Sequence, residues 1–177
     1  MRVIGLAGWS GAGKTTLLTR LIPLLVGRGL RVSTLKHAHH VFDVDQPGKD
    51  SYAHREAGAS EVIVSSARRW VQIHEGRDDA EASLPDLLRR LSPCDLAIVE
   101  GFKRERHAKL EVYRDANGRP PLHSDDPRVV AVASDRPFRD AGVPVVGLDD
   151  VPEIASRILG WAEPLDRVLE RLDGAAE

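Results

Sequence analysis

Val3-Ile4-Gly5-Leu6-Ala7 followed by Gly8-Trp9-Ser10-Gly11-Ala12-Gly13-Lys14-Thr15 is the stretch on which the fold turns. The first five residues form a short, continuous apolar run, as expected of a strand covered on both faces of a parallel sheet. The next eight match G-x-x-x-x-G-K-[ST] at every specified position. Leu17, Leu18, Leu21, Leu24 and Leu25 then recur at helical spacing, so the motif lies between a strand and a helix. Glycines there let the backbone curl until several N–H groups converge on one phosphate, and the helix start adds its positive end. Gly8, Ser10, Gly11, Ala12, Gly13, Lys14, Thr15 and Thr16 are the expected phosphate-binding residues. Lys14 supplies a mobile cation for the β- and γ-phosphates, the Thr15 hydroxyl can ligate Mg²⁺, and Thr16 is placed to touch the α-phosphate. Trp9 is read as lining the nucleotide or a partner surface, or as plain packing. The motif does not choose between ATP and GTP.

Outward from this stretch, strands alternate with helices. Pro23 predicts a kink or an early break in the first helix, since an interior proline costs about 3 kcal/mol relative to alanine. A strand is expected at 31–36, a polar loop at 37–51 and a short helix at 52–59. Strands follow at 61–65 and 70–74, a helix starts near Ser83-Leu84-Pro85, and further strands lie at 96–99, 110–113, 129–133 and 143–146. Ile154, Ile158 and Trp161 share a helical face, and after Pro164 an amphipathic segment carries Leu165, Val168, Leu169 and Leu172. The pattern predicts an α/β, three-layer P-loop NTPase fold with a largely parallel central sheet and some added antiparallel strands. Residues 1–177 read as a single nucleotide-binding domain, with about 164–177 as a C-terminal amphipathic helical tail.

Composition agrees. Of 177 residues 42% are hydrophobic, enough for a buried core, and 25 basic against 27 acidic residues give a net charge of −2. That balance argues against a generic nucleic-acid binder. The single cysteine, Cys94, allows no internal disulfide, and no apolar run reaches about 18 residues. A cytoplasmic protein without a membrane association is expected.

In parallel α/β sheets ligands bind beyond the carboxyl ends of the strands, which directs attention to the loops after Ala7, Lys36, Val99 and Ala133. Glu100 ends an apolar strand as a Walker B carboxylate would, and either holds metal-bound water or orients an attacking water. Lys14 and Glu100 are thus the candidate catalytic residues, and Thr15, Glu100 and Asp45 the candidate Mg²⁺ residues. Asp135 could accept from the N1–H and N2–H₂ of guanine, or simply end a strand. His37, His39 and His40 could ligate a metal with Asp43 or Asp45, or serve as hydrogen-bonding loop residues. Lys103, Arg104, Arg106 and Lys109 form either a receptor for a phosphate or an acidic partner, or a solvated face.

Four segments in fixed order extend the pattern beyond the P-loop. They are Gly8 to Thr16; Lys36-His37-x-His39-His40-x-Phe42-Asp43-x-Asp45-x-Pro47-Gly48-Lys49-Asp50-Ser51; Arg55-x-Ala57-Gly58-Ala59; and Val99-Glu100-Gly101-Phe102-Lys103. With these the chain resembles the molybdopterin-guanine dinucleotide biosynthesis protein B (MobB) family of P-loop GTP-binding proteins over most of its length. The resemblance implies a homodimeric, weakly hydrolysing GTPase acting as an adaptor. It would assist a separate molybdopterin guanylyltransferase that attaches GMP to molybdopterin, with molybdopterin or its guanine dinucleotide as further candidate ligands. Trp9 stands where some related dimeric ATPases carry a P-loop lysine, so any trans-acting cation must come from elsewhere, with Lys49, Arg55, Lys103, Arg104 and Arg106 as candidates. The alternatives are a P-loop small-molecule kinase, for which no arginine-rich lid is evident, and a non-hydrolysing nucleotide-binding module.

Overall fold

In the computed structural model, residues 1–38, 42–76 and 81–174 are described. The chain forms two compact units, Met1–His37 with Leu84–Glu177, and Ala38–Ser83.

The first unit is built on β1 (Arg2–Ala7), β2 (Val32–Lys36), β5 (Leu96–Glu100), β6 (Lys109–Tyr113), β7 (Val129–Ser134) and β8 (Val145–Gly147), in the order β2-β5-β1-β6-β7-β8. All these neighbours pair in parallel. The two-residue β9 (Glu163–Pro164) joins antiparallel at Arg2 and Val3, below the point where β6 takes over the same edge of β1 at Gly5. The expected sheet, mostly parallel with antiparallel additions, is therefore present.

Alternation along each strand divides the core. Ile4, Leu6, Leu96, Ile98, Leu110 and Val112 pack with Leu17, Leu21 and Leu25 of α1 (Lys14–Gly27) and Ile154 and Ile158 of α4 (Val151–Trp161). On the other face, Val3, Ala97 and Val99 meet Leu84 and Leu88 of α3 (Leu84–Arg90) and Val168 and Leu172 of α5 (Leu165–Asp173). The amphipathic tail is thus the second helical layer over β1 and β5, and its apolar stripe is taken up by the core rather than offered as a dimer surface.

Of the kink or early break expected at Pro23, the break does not occur, for α1 runs through it. Pro23 and Thr19 both lie on the exposed side, so the Thr19 carbonyl deprived of its i+4 donor can turn to water.

Between β5 and β6 the chain must pass over β1, and it does so with only residues 101–108 and no helix. Parallel crossovers usually need a dozen residues or more. Gly5 permits the shortcut: a Cβ there would stand 2.4 Å from His107 Nε2 and 3.1 Å from Lys109 Cγ. Glu163 accepts from the Ala108 N–H at 2.9 Å and is gripped by both guanidinium nitrogens of Arg171 at 2.9 and 2.7 Å. Arg171 also donates to the Arg106 carbonyl, so β9 and α5 pin the crossover. Beyond it this face is covered by loops instead of a helix. The buried Glu111 carboxylate accepts from the Leu122 and His123 N–H groups at 2.6 and 3.0 Å, and His123 Nδ1 lies 2.7 Å away.

The second unit contains α2 (Asp50–Glu56) and the antiparallel pair β3 (Glu61–Ser65) and β4 (Trp70–His74), whose strands lie where the sequence places them. Arg55 organises it, reaching Asp43 at 2.9 Å, Asp45 at 3.4 Å and Glu75 at 2.6 Å.

Candidate nucleotide site

The P-loop leaves β1 at Ala7 and enters α1 at Lys14. Gly8, Gly11 and Gly13 all have positive φ, at 148°, 79° and 98°, as the curled loop requires. At Gly8 the demand is also steric, because a Cβ would meet the Val112 carbonyl oxygen at 2.5 Å. Lys14 Nζ folds back over the loop and donates to the Gly8 and Trp9 carbonyls at 2.9 and 3.1 Å. Burial lowers its pKa; Glu100 opposes that shift, and Lys103 and Lys36 add to it. Three lysines therefore set a positive field at the loop mouth, with one carboxylate among them. Thr15 and Thr16 stand exposed in the first turn of α1, which carries no acidic residue, so its positive end is left available to an anion.

Glu100 ends β5 in register with Leu6 of β1 and Lys36 of β2. Its carbonyl accepts from the His37 N–H at 2.9 Å. The turn that follows has Gly101 at φ 98° and Phe102 at φ 48°. A Cβ on Gly101 would strike His37 Cβ at 2.5 Å, and the rings of His37 and Phe102 lie 4.9 Å apart. This tight turn fixes the end of β5 beside the P-loop.

Segment 114–120, which follows β6, adds residues that motif reading did not single out. Asn117 Nδ2 donates to the Ser10 carbonyl at 3.2 Å, and Trp9 Nε1 donates to the Pro120 carbonyl at 2.8 Å. The ammonium of Lys103 and the guanidinium of Arg119 lie 5.4 and 5.6 Å from the Trp9 ring centre. An Arg114 guanidinium nitrogen is 3.3 Å from the point a Gly13 Cβ would occupy. In the sequence this segment carries only turn chemistry, Asn117-Gly118 followed by Pro120 and Pro121.

Asp135 is placed at the end of β7, next to this segment. One carboxylate oxygen accepts from the Asp115 N–H at 2.9 Å and the other lies 3.7 Å from Arg114. Beside it the Arg136 guanidinium stacks over Tyr113 and Phe138, at 5.2 and 4.8 Å from the ring centres. Asp45 belongs to the second unit, where its nearly buried carboxylate accepts from the Ser51 hydroxyl at 2.8 Å and the Gln46 N–H at 2.9 Å and pairs with Arg55. Of the proposed metal-binding histidines, His39 and His40 lie outside the described residues. Among the described residues no three His, Cys, Asp or Glu side chains converge as a metal cluster.

A strand-to-helix phosphate cradle crowned by lysine, with a carboxylate at the neighbouring strand end, is an arrangement shared by many nucleotide-binding proteins, and comparison with known sequences narrows it. Residues 3–135 match the family model described as "Molybdopterin guanine dinucleotide synthesis protein B", MobB. The chain belongs to the MobB family. It is 45% identical over 164 residues to a molybdopterin-guanine dinucleotide biosynthesis adapter protein of Escherichia coli, covering 91% of this chain and 93% of the relative. A second adapter protein of that description, from Haemophilus influenzae, is 39% identical over 161 residues, with 90% and 88% covered. A crystal structure of molybdopterin-guanine biosynthesis protein B superposes with a TM-score of 0.71 at 30% identity, over 89% of this chain and 97% of that one. A MobB role in molybdopterin guanine dinucleotide biosynthesis therefore applies to this chain. Among the described residues no helix is long and apolar enough to cross a membrane.

Proposed function

We propose that this MobB protein is a GTP-binding, weakly hydrolysing adaptor that assists a molybdopterin guanylyltransferase in forming molybdopterin guanine dinucleotide. The single observation that carries the proposal is the P-loop at the β1–α1 junction, with Glu100, Lys103 and Lys36 near enough to Lys14 to act on its charge. Backbone N–H groups and these cations suit a triphosphate, while one carboxylate is left to deal with water or metal. Thr15 and Glu100 are the residues that would hold Mg²⁺, directly or through water, and the ion would neutralise charge between the β- and γ-phosphates. Asp45 is a poorer candidate, since its oxygens already serve Ser51, Gln46 and Arg55. Asp135 remains our candidate for reading guanine, which requires its contacts with Arg114 and Asp115 to give way or to be shared.

Slow turnover is expected because, among the described residues, Glu100 is the one carboxylate that acts on Lys14. Homodimerisation is supported by the β3–β4 hairpin, which exposes Ile63, Val64, Trp70 and Val71, more apolar surface than a lone hairpin ordinarily leaves in water. Titration of GTP and ATP with Mg²⁺, with phosphate release followed alone and with a molybdopterin guanylyltransferase present, tests the proposal. GTP preference, slow release and a response to the transferase are expected. ATP preference with phosphate moved to a metabolite would replace the adaptor by a kinase.

A further inference from the structure

Away from the P-loop, crossover 101–108 and the segment leading into β7 enclose an open cavity of about 490 Å³. Lys103, Arg104, Arg106, Lys109 and Arg128 contribute five positive charges to its walls, and Glu105, Asp125 and Asp126 contribute three negative ones. The balance is +2, in a chain whose total is −2. At the base, the buried Lys109 ammonium is held by the Glu105 carbonyl at 2.7 Å and Asp126 Oδ2 at 2.9 Å. Asp126 also accepts from the Arg128 N–H at 2.9 Å, which fixes the approach to β7. With Lys109 and Asp126 neutralising one another, Lys103, Arg104, Arg106 and Arg128 remain, and among the described residues none of the three guanidinium groups forms a salt bridge, although the Arg128 charge is felt by Glu163.

We propose that this cavity binds the phosphate group of a small phosphate monoester, at a site separate from the triphosphate cradle. A monoester carries nearly two negative charges at neutral pH, matching the local balance, and guanidinium forks bind phosphate oxygens in pairs. Glu105 and Asp125 repel a dianion and a carboxylate in proportion to their charge, so selection rests on the positive balance of the walls, from which a dianion gains about twice what a single carboxylate does. An acidic peptide is disfavoured for the same reason: its successive carboxylates would run past these acids, whereas one compact dianion sits among the guanidiniums. Lys103 links the regions, lining this cavity while its ammonium lies over Trp9 of the P-loop.

Phenyl phosphate is the test ligand, titrated calorimetrically into the full chain carrying Lys14→Ala, so that the P-loop does not compete for it. One site should be present. Adding Arg106→Gln and Arg128→Gln should weaken it by about tenfold or more, while Arg128→Gln alone in the Lys14 chain leaves GTP binding unchanged. Should Arg128→Gln disturb folding, Arg104→Gln with Arg106→Gln, both at exposed positions, should give the same loss in a chain of unaltered circular dichroism. No heat with the Lys14→Ala chain, or undiminished affinity in a folded double variant, would overturn the assignment. So would tighter binding of inorganic phosphate or of a glutamate-rich peptide than of phenyl phosphate. No GTP binding by the parent chain, with the phenyl phosphate site intact, would count against the proposed function and leave this site standing.

Discussion

In the proposed function Lys14 is the residue on which nucleotide binding rests, and its contacts are local, with the Gly8 and Trp9 carbonyls of its own loop. Lys14→Ala should therefore weaken GTP binding by about tenfold or more, at roughly 1.5–3 kcal/mol for a charge-assisted contact, and leave the melting temperature nearly unchanged. Calorimetric titration beside thermal unfolding checks both halves. Glu100 ends a strand that is fully buried up to Val99, so its side chain contributes little to the core. For Glu100→Gln we expect retained nucleotide affinity and slower phosphate release, and turnover equal to the parent chain would assign the water or metal to another group. Both positions were legible in the sequence because the P-loop motif runs from the end of β1 to Lys14 and Glu100 closes the apolar run of β5. Arg114, Asn117 and Arg119 were not, since they reach the P-loop only because β6 lies beside β1.

At the scale of elements, β6 departs most from its sequence pattern. Lys-Leu-Glu-Val-Tyr alternates as a half-exposed strand would, yet all five residues are buried. Asp126 and His123, more than ten residues further on, satisfy the two charged ones, and a sequence window cannot foresee such pairing. The crossover makes its own prediction. Gly5→Ala should destabilise the fold by about 1–3 kcal/mol through overpacking against His107, and the cost should shrink in a His107→Ala background, as a double-mutant cycle in urea would show. His107 itself is buried with neither ring nitrogen hydrogen-bonded. Burial first, and then the Lys109 charge, push its pKa down to about 4. Its ordinary value is about 6.5, so the unfolded chain takes up the proton first. The neutral ring's contribution is complete above about pH 6.5 and is lost on acidification towards pH 4. Between pH 7.5 and 5 the parent chain should lose about 2 kcal/mol more stability than His107→Leu, and equal losses would show that this ring does not titrate as described.

For the whole molecule, the last helix closes the sheet. Leu172 and Val168 cover Val3, Ala97 and Val99, and Arg171 with Glu163 holds the crossover that carries the basic cavity. Leu172→Ala should cost about 2–4 kcal/mol, read from urea unfolding, whereas a tail lying free of the core would lose almost nothing. By itself the sequence determined the P-loop, the strand and helix order and the hairpin, because spacing, glycines and apolar periodicity act within a few residues of one another. Only the tertiary structure decided that Pro23 stays inside a helix, that the tail is a core layer, that β6 buries its charges and that Asp135 meets Arg114. Each of these depends on groups brought together by sheet order, where water exposure and distant partners outweigh local preference.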